Sequence, residues 1–173
     1  VRLCDPAPAT RMLATGEVVP LAHGRNLHLA VRPQAPTRVL LTGHYDTVFA
    51  ADHPFQEVRW REAGVLNGPG VADMKGGIAV MLAALAAFER SPFAPLLGYD
   101  VVLNADEEVS SPGSAPLLAQ CAARVNAGLT FEPALPDGTL AGDRPGSGNF
   151  AIHLAGRAAH AGREPEKGRN AIV

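Results

Sequence analysis

Acidic residues and a histidine follow the apolar stretches of this sequence where β-strands are expected to end. The run VLLTGHYD ends in His44 and Asp46, and DVVLNA is followed by Asp106, Glu107 and Glu108. Three consecutive carboxylates are also typical of a solvated turn. The carboxyl ends of parallel strands, however, meet at one sheet edge, where α/β proteins carry their chemistry. Imidazole and carboxylate ligands without thiolates suit zinc, cobalt or manganese in a hydrolytic site.

Spacing suggests different tasks for these residues. His44 and Asp46 are two positions apart and point to the same side of an extended chain, so Asp46 can orient a metal-ligating imidazole. Glu132 follows a third apolar stretch, 126–131, and Asp73 precedes a helix expected over 76–90. Asp73 could simply cap that helix. The glycines around it exceed what a cap needs and indicate an unusual backbone: they are Gly68, Gly70, Gly76 and Gly77.

The elements that position these residues alternate between strand and helix. Strands are predicted at 39–43, 100–105 and 127–131, and helices at 76–90 and 115–125, with the first helix buried because it is apolar almost all round. After the first of these strands, residues 49–66 are predicted to form a long loop with one short strand pair. The stretches 17–23 and 27–33 predict a hairpin at the sheet edge, with His23 and His28 as surface or edge residues. The pattern favours an α/β domain with a parallel sheet.

Bulk properties exclude several classes of function. The 173 residues, 47% hydrophobic, suit one globular domain with part of a second. A net charge of −2 without a basic cluster disfavours nucleic-acid binding. Cys4 and Cys121 lie too far apart for a cysteine zinc site and are interpreted as free thiols. No signal pattern or membrane span is predicted, so the expected location is the cytoplasm.

Four motifs carry a family resemblance. GHYDTV, GPGVADMKGG, NADEEVSSPGS and FEP, in this order, resemble the signature set of the dinuclear zinc metallopeptidases that include glutamate carboxypeptidase, acetylornithine deacetylase, succinyl-diaminopimelate desuccinylase and aminoacylase. FEP with GREPEKGRNA is most similar to glutamate carboxypeptidase. The resemblance implies a three-layer αβα catalytic domain with a mostly parallel sheet over 1–145. It also implies that 146–173 begins an inserted α+β dimerisation domain with a strand and a helix.

The resemblance also implies a role for each site residue. Two zinc ions, with cobalt or manganese as alternatives, would be held by His44 and Glu132 on one side and Glu108 on the other. Asp73 would bridge them and precede a cis peptide bond, and Asp46 would orient His44. Glu107 would be the general base. His160, in AAHAG, would reach across a homodimer to the substrate carbonyl of the partner's site.

The expected reaction is hydrolysis of an amide bond in an N-acyl amino acid or small peptide. The family's last metal-ligating histidine and carboxylate-binding arginine have no counterpart in the sequence, which predicts a piece of a longer enzyme. One alternative is an inactive fragment, or a remnant that only binds metal or ligand, although Glu107 would then have no use. A nucleotide-binding protein is the other alternative. GPGVADMKGG and GDRPGSGNF are rich in glycine but match neither phosphate-binding pattern.

Overall fold

The computed structural model describes residues 1–142, 146, 148, 150 and 152–172. In chain order the strands are β1 (Arg2–Cys4), β2 (Ala9–Met12), β3 (Val18–Leu21), β4 (Asn26–Val31), β5 (Thr37–His44), β6 (Arg59–Glu62), β7 (Val65–Asn67), β8 (Leu97–Asn104) and β9 (Ala127–Thr130). The helices are α1 (Gly76–Phe88) and α2 (Ala115–Ala122). The chain divides into two units, 1–9 with 20–141 and 10–19 with 142–172 as far as it is described.

A five-stranded sheet forms the first unit, in the order β1-β4-β8-β5-β9. Strand β5 pairs in parallel with β8 on one side and with β9 on the other, so the strand ends at His44, Asn104 and Thr130 share one edge. The pairs β1 with β4 and β4 with β8 are antiparallel. The prediction of a mostly parallel sheet was therefore wrong in its proportions, because the sheet is mixed.

Helices cover both faces of this sheet. Successive residues of β5 point to opposite faces, as the strand period of two requires. Leu41 packs with Met81 of α1 on one face, and Leu40 packs with Cys121 of α2 on the other. The predicted three-layer αβα arrangement is present in the first unit.

The expected edge hairpin is not formed. Strand β4 lies inside the sheet between β1 and β8, and β3 pairs with β2 in a separate two-stranded sheet. His28 on β4 is consequently buried, which corrects its interpretation as a surface or edge residue. The predicted short strand pair within 49–66 is present in outline as β6 and β7, which form a hairpin.

Helix α1 is less buried than its composition suggested. Met81 is its one fully buried residue, whereas Val80 and Leu82 on the outer side are 61% and 57% exposed. By length and hydropathy alone, Val71–Phe88 could also cross a membrane. In this structure its inner side is instead a layer of the sheet core.

The second unit has little regular structure in its described residues. Arg157 and Arg169 form an isolated antiparallel bridge, and Pro165–Lys167 forms one turn of 3₁₀-helix. The strand expected near 150 is not formed by the described residues 152–156. Asn149, Ala151 and most of GDRPGSGNF lie outside the described residues. The inserted dimerisation domain therefore remains a prediction.

A test of the helix–sheet contact is the Gly77→Ala substitution. Alanine favours helix over glycine by about 1 kcal/mol, yet a Cβ on Gly77 would overlap the Phe131 carbonyl oxygen and lie 2.9 Å from its carbon. We expect a loss of at least about 2 kcal/mol in unfolding free energy by urea titration. Gly128→Ala in β9 is the control, with its nearest heavy atom 4.0 Å away. Equal stability of the two variants would contradict this contact.

Candidate metal centre

His44 is the residue around which the candidate site is arranged. It ends strand β5, and its side chain is 1% exposed. Asp73 lies in an irregular turn, Val71–Lys75, that precedes α1 and contains a cis peptide bond between Asp73 and Met74. Nε2 of His44 lies 3.0 Å from Oδ1 of Asp73. The turn thus brings a carboxylate to the imidazole at the carboxyl edge of the sheet.

Three further carboxylates surround this pair. Nε2 of His44 lies 3.7 Å from Oε1 of Glu132 and 3.9 Å from Oε2 of Glu107. Two sets of possible metal-ligating atoms result, and within each set all atoms lie within 4.8 Å of one another: His44, Asp73 and Glu108, and His44, Glu107 and Glu132. The structure therefore brings together the predicted ligands and the predicted base. Their division into ligands and base stays a prediction.

Asp46 contacts a residue of each set. Its Oδ1 lies 3.3 Å from Nδ1 of His44, and its Oδ2 accepts the main-chain N–H of Glu108 at 3.1 Å. The carbonyl oxygen of Asp46 also lies 3.2 Å from Nδ1 of His44. A proton on Nδ1 would leave Nε2 free to bind a metal. This geometry suits the orienting role predicted for Asp46.

Burial and nearby charges shift the pKa of two of the site carboxylates and of His44, in each case upward. Burial raises the pKa of Glu108, and the charge of Asp73 raises it further. Burial likewise raises the pKa of Glu132, while His44 opposes the shift. Burial lowers the pKa of His44, but its hydrogen bond to Asp73 and the charge of Glu132 outweigh this effect and raise it. The site therefore has excess negative charge that favours binding of a cation.

No arginine or lysine in the described part of the chain forms an ion pair with these carboxylates. The ion pairs of these residues lie elsewhere: Arg25 with Asp5, Arg32 with Glu89, Arg38 with Asp100, Arg59 with Glu57 and Lys167 with Glu164. Converging carboxylates and an imidazole that form no ion pair with a described arginine or lysine are a donor set that fits divalent cations.

Asp106 differs from its two acidic neighbours. It is 1% exposed, and its Oδ2 accepts the main-chain N–H groups of Gly113 at 2.6 Å and Ser114 at 3.1 Å. These contacts fix the loop that leads into α2 and leave Glu107 and Glu108 to face the site. The sequence did not identify this anchoring role, and its position directly after a buried strand is the available signal.

A second cluster of possible ligands fits a cation poorly. His28, Asp100 and Cys121 are all buried and close together. Nη2 of Arg2 donates to Nδ1 of His28 at 2.8 Å, so Nε2 carries the proton and donates to Oδ1 of Asp100 at 2.7 Å. Arg38 also pairs with Asp100. Both ring nitrogens and the carboxylate are thus already satisfied, which makes this cluster structural.

Two cavities open beside the candidate site. One, of about 350 Å³, is lined by His44, Glu107 and Glu132 together with Leu118 and other residues of α2. The other, of about 200 Å³, is lined by Asp73 and Glu108 with the loop residues 47–49. Solvent-sized molecules can therefore approach both sets of ligands.

His160 is in the second unit. It is exposed, and its Nδ1 accepts the main-chain N–H of Gly162 at 3.2 Å. Its role across a dimer remains a prediction.

Comparison with known proteins identifies a matching family and similar relatives. The profile of Peptidase family M20/M25/M40 matches residues 40–166. Carboxypeptidase G2 of Pseudomonas sp. (strain RS-16) is 34% identical over 95% of this chain, and acetylornithine deacetylase of Proteus mirabilis (strain HI4320) is 34% identical over 89%. The chain spans 39% of the length of each of these relatives.

The fold has a counterpart among solved structures. The crystal structure of human carnosine dipeptidase 1 superposes with a TM-score of 0.53 and 17% sequence identity, over 77% of this chain and 29% of that one. At this identity the similarity supports the fold.

Metal binding can be tested on the chain by thermal unfolding. Zinc at 100 times its dissociation constant should add about 2.7 kcal/mol, which raises the midpoint by roughly 5–10 °C in a domain of this size. A chelator should reverse the shift, and Asp73→Asn should remove most of it. Asp137→Asn, at an exposed carboxylate that accepts the Thr139 N–H, should retain it. An equal shift in both variants would contradict the assigned site.

Proposed function

Because this chain belongs to Peptidase family M20/M25/M40, we propose that the full-length protein is a metal-dependent hydrolase that cleaves an amide bond in an N-acyl amino acid or small peptide. One observation carries the proposal. His44 and the carboxylates of Asp73, Glu107, Glu108 and Glu132 converge at one sheet edge, and none of these carboxylates forms an ion pair with an arginine or lysine of the described residues.

Four of these residues have a proposed role in metal binding. His44 and Glu132 would hold one divalent cation, Glu108 would hold a second, and Asp73 would be a ligand shared by the two. Zinc is the proposed metal, with cobalt or manganese as substitutes. Cations bound there would lower the pKa of a water molecule toward neutrality and polarise the amide carbonyl.

Proton transfer is assigned to Glu107. Its carboxylate is half exposed and lines the larger cavity, where a substrate can reach it. As a general base it removes a proton from the attacking water, and as a general acid it returns that proton to the leaving amine nitrogen. Asp46 acts through His44, whose imidazole it orients.

The substrate class rests on the relatives and the motifs. One relative is named as a carboxypeptidase and the other as a deacetylase of acetylornithine. Both names describe cleavage of an amide bond in a molecule with a free carboxylate. We extend that chemistry to this protein. The homodimer and the cytoplasmic location complete the proposal and rest on the sequence.

The test of Glu107 is its replacement by glutamine in the full-length protein. Glutamine keeps the size of the side chain but cannot accept the proton, so kcat should fall by about 10²–10⁴-fold with an N-acyl amino acid substrate. Metal content per chain, measured by atomic emission, should remain that of the wild type.

Glu62→Gln is the matched control, since Glu62 is an exposed carboxylate of β6 away from the ligand sets. It should retain wild-type turnover. Near-normal turnover by Glu107→Gln would overturn the base assignment. Loss of metal together with turnover would instead make Glu107 a ligand.

A further inference from the structure

The main-chain N–H of His44 lies where the parallel ladder between β5 and β9 stops. Tyr45 donates its N–H to Asn104 on the β8 side, so the N–H of His44 points to the β9 side. There, Phe131 donates its N–H to the Thr42 carbonyl. Continuing the ladder would make the Phe131 carbonyl the acceptor for His44. That carbonyl lies against Gly77 at the start of α1 instead.

Met74 supplies the acceptor in its place. Sδ of Met74 lies 3.1 Å from the main-chain nitrogen of His44. The side chain is fully buried, and a Cβ on Gly43 would lie 2.8 Å from its methyl carbon. The absence of a side chain at position 43 thus leaves room for this thioether beside the strand.

The contact joins two parts of the candidate site. Met74 follows Asp73 directly, and His44 carries the imidazole whose Nε2 lies 3.0 Å from the Asp73 carboxylate. A thioether is a weak acceptor, but a buried N–H without any acceptor is destabilising. The hydrogen bond therefore holds the turn that bears Asp73 against the strand that bears His44.

We propose that Met74 is a positioning residue: its thioether accepts the His44 N–H and fixes the spacing between the His44 imidazole and the Asp73 carboxylate. The inference deepens the proposed function, on which it rests. Met74 itself belongs to neither set of possible ligands. Its effect reaches the metal through the placement of His44 and Asp73.

The test compares Met74→Leu with Met81→Leu in the 173-residue chain. Both methionines are fully buried, and Met81 packs in the core of α1 away from the ligand sets. Leucine conserves most of the volume but offers no acceptor. In the metal-free chain, Met74→Leu should exchange the His44 amide hydrogen at least about ten times faster by NMR. Its affinity for Co²⁺, followed by visible absorption, should fall about 10–100-fold.

Met81→Leu should match the wild type in both measurements. Equal losses in the two variants would reduce the effect to core packing and overturn the proposal, as would unchanged exchange or unchanged Co²⁺ affinity in Met74→Leu. If the wild-type chain binds no Co²⁺, the proposed metal centre fails for this chain. The exchange comparison then decides alone whether Met74 holds His44.

A second comparison applies if Met74→Leu does not fold. The chain has three methionines, so Met12→Leu with Met81→Leu leaves Met74 as the only one. Norleucine at that position replaces sulfur by a methylene, whereas selenomethionine keeps an acceptor. Faster exchange of the His44 amide with norleucine, and wild-type exchange with selenomethionine, are the expected results. Identical exchange in the two forms would overturn the proposal.

Discussion

Concentrated negative charge around one buried imidazole is the constraint on which this structure depends. Asp73, Glu107, Glu108 and Glu132 come from three separate connections, and each alone would be an ordinary surface carboxylate. Burial raises the pKa of Glu108 and of Glu132, and repulsion from the neighbouring carboxylates raises it further. A fold that keeps them together must resist that repulsion, and a cation relieves it.

The sheet and the hydrophobic cores on its two faces oppose the repulsion between the carboxylates. Strands β5, β8 and β9 end at one edge of the sheet. Helix α1 packs on one face of these strands through Met81, and α2 packs on the other through Cys121. Hydrophobic burial on both faces thus supplies the free energy that charge repulsion at the edge removes. Asp106, turned inward to the loop before α2, fixes the direction in which its acidic neighbours face.

Local patterns were sufficient where a feature depends on neighbouring residues. The strand before His44 and the helix after Asp73 followed from apolar runs and glycines, and the order of four motifs led to the family. Features that depend on distant pairing were missed. Strand β4 is interior because Leu27–Val31 pairs with β8 some seventy residues later, which its local pattern does not reveal. Met74 gained its role only because the Phe131 carbonyl leaves the ladder. Hydropathy alone likewise gave no sign that α1 would expose its outer side.

The two contacts of Asp46 have a thermodynamic consequence. One carboxylate oxygen lies 3.3 Å from Nδ1 of His44 and the other accepts the Glu108 main-chain N–H, so a single side chain contacts a ligand of each proposed ion. Loading of one position that orders Asp46 lowers the entropic cost of loading the other. Linkage makes this effect reciprocal, whichever ion arrives first. The pair of ions would therefore bind with positive cooperativity, and singly loaded protein would be a minor species at intermediate metal concentrations.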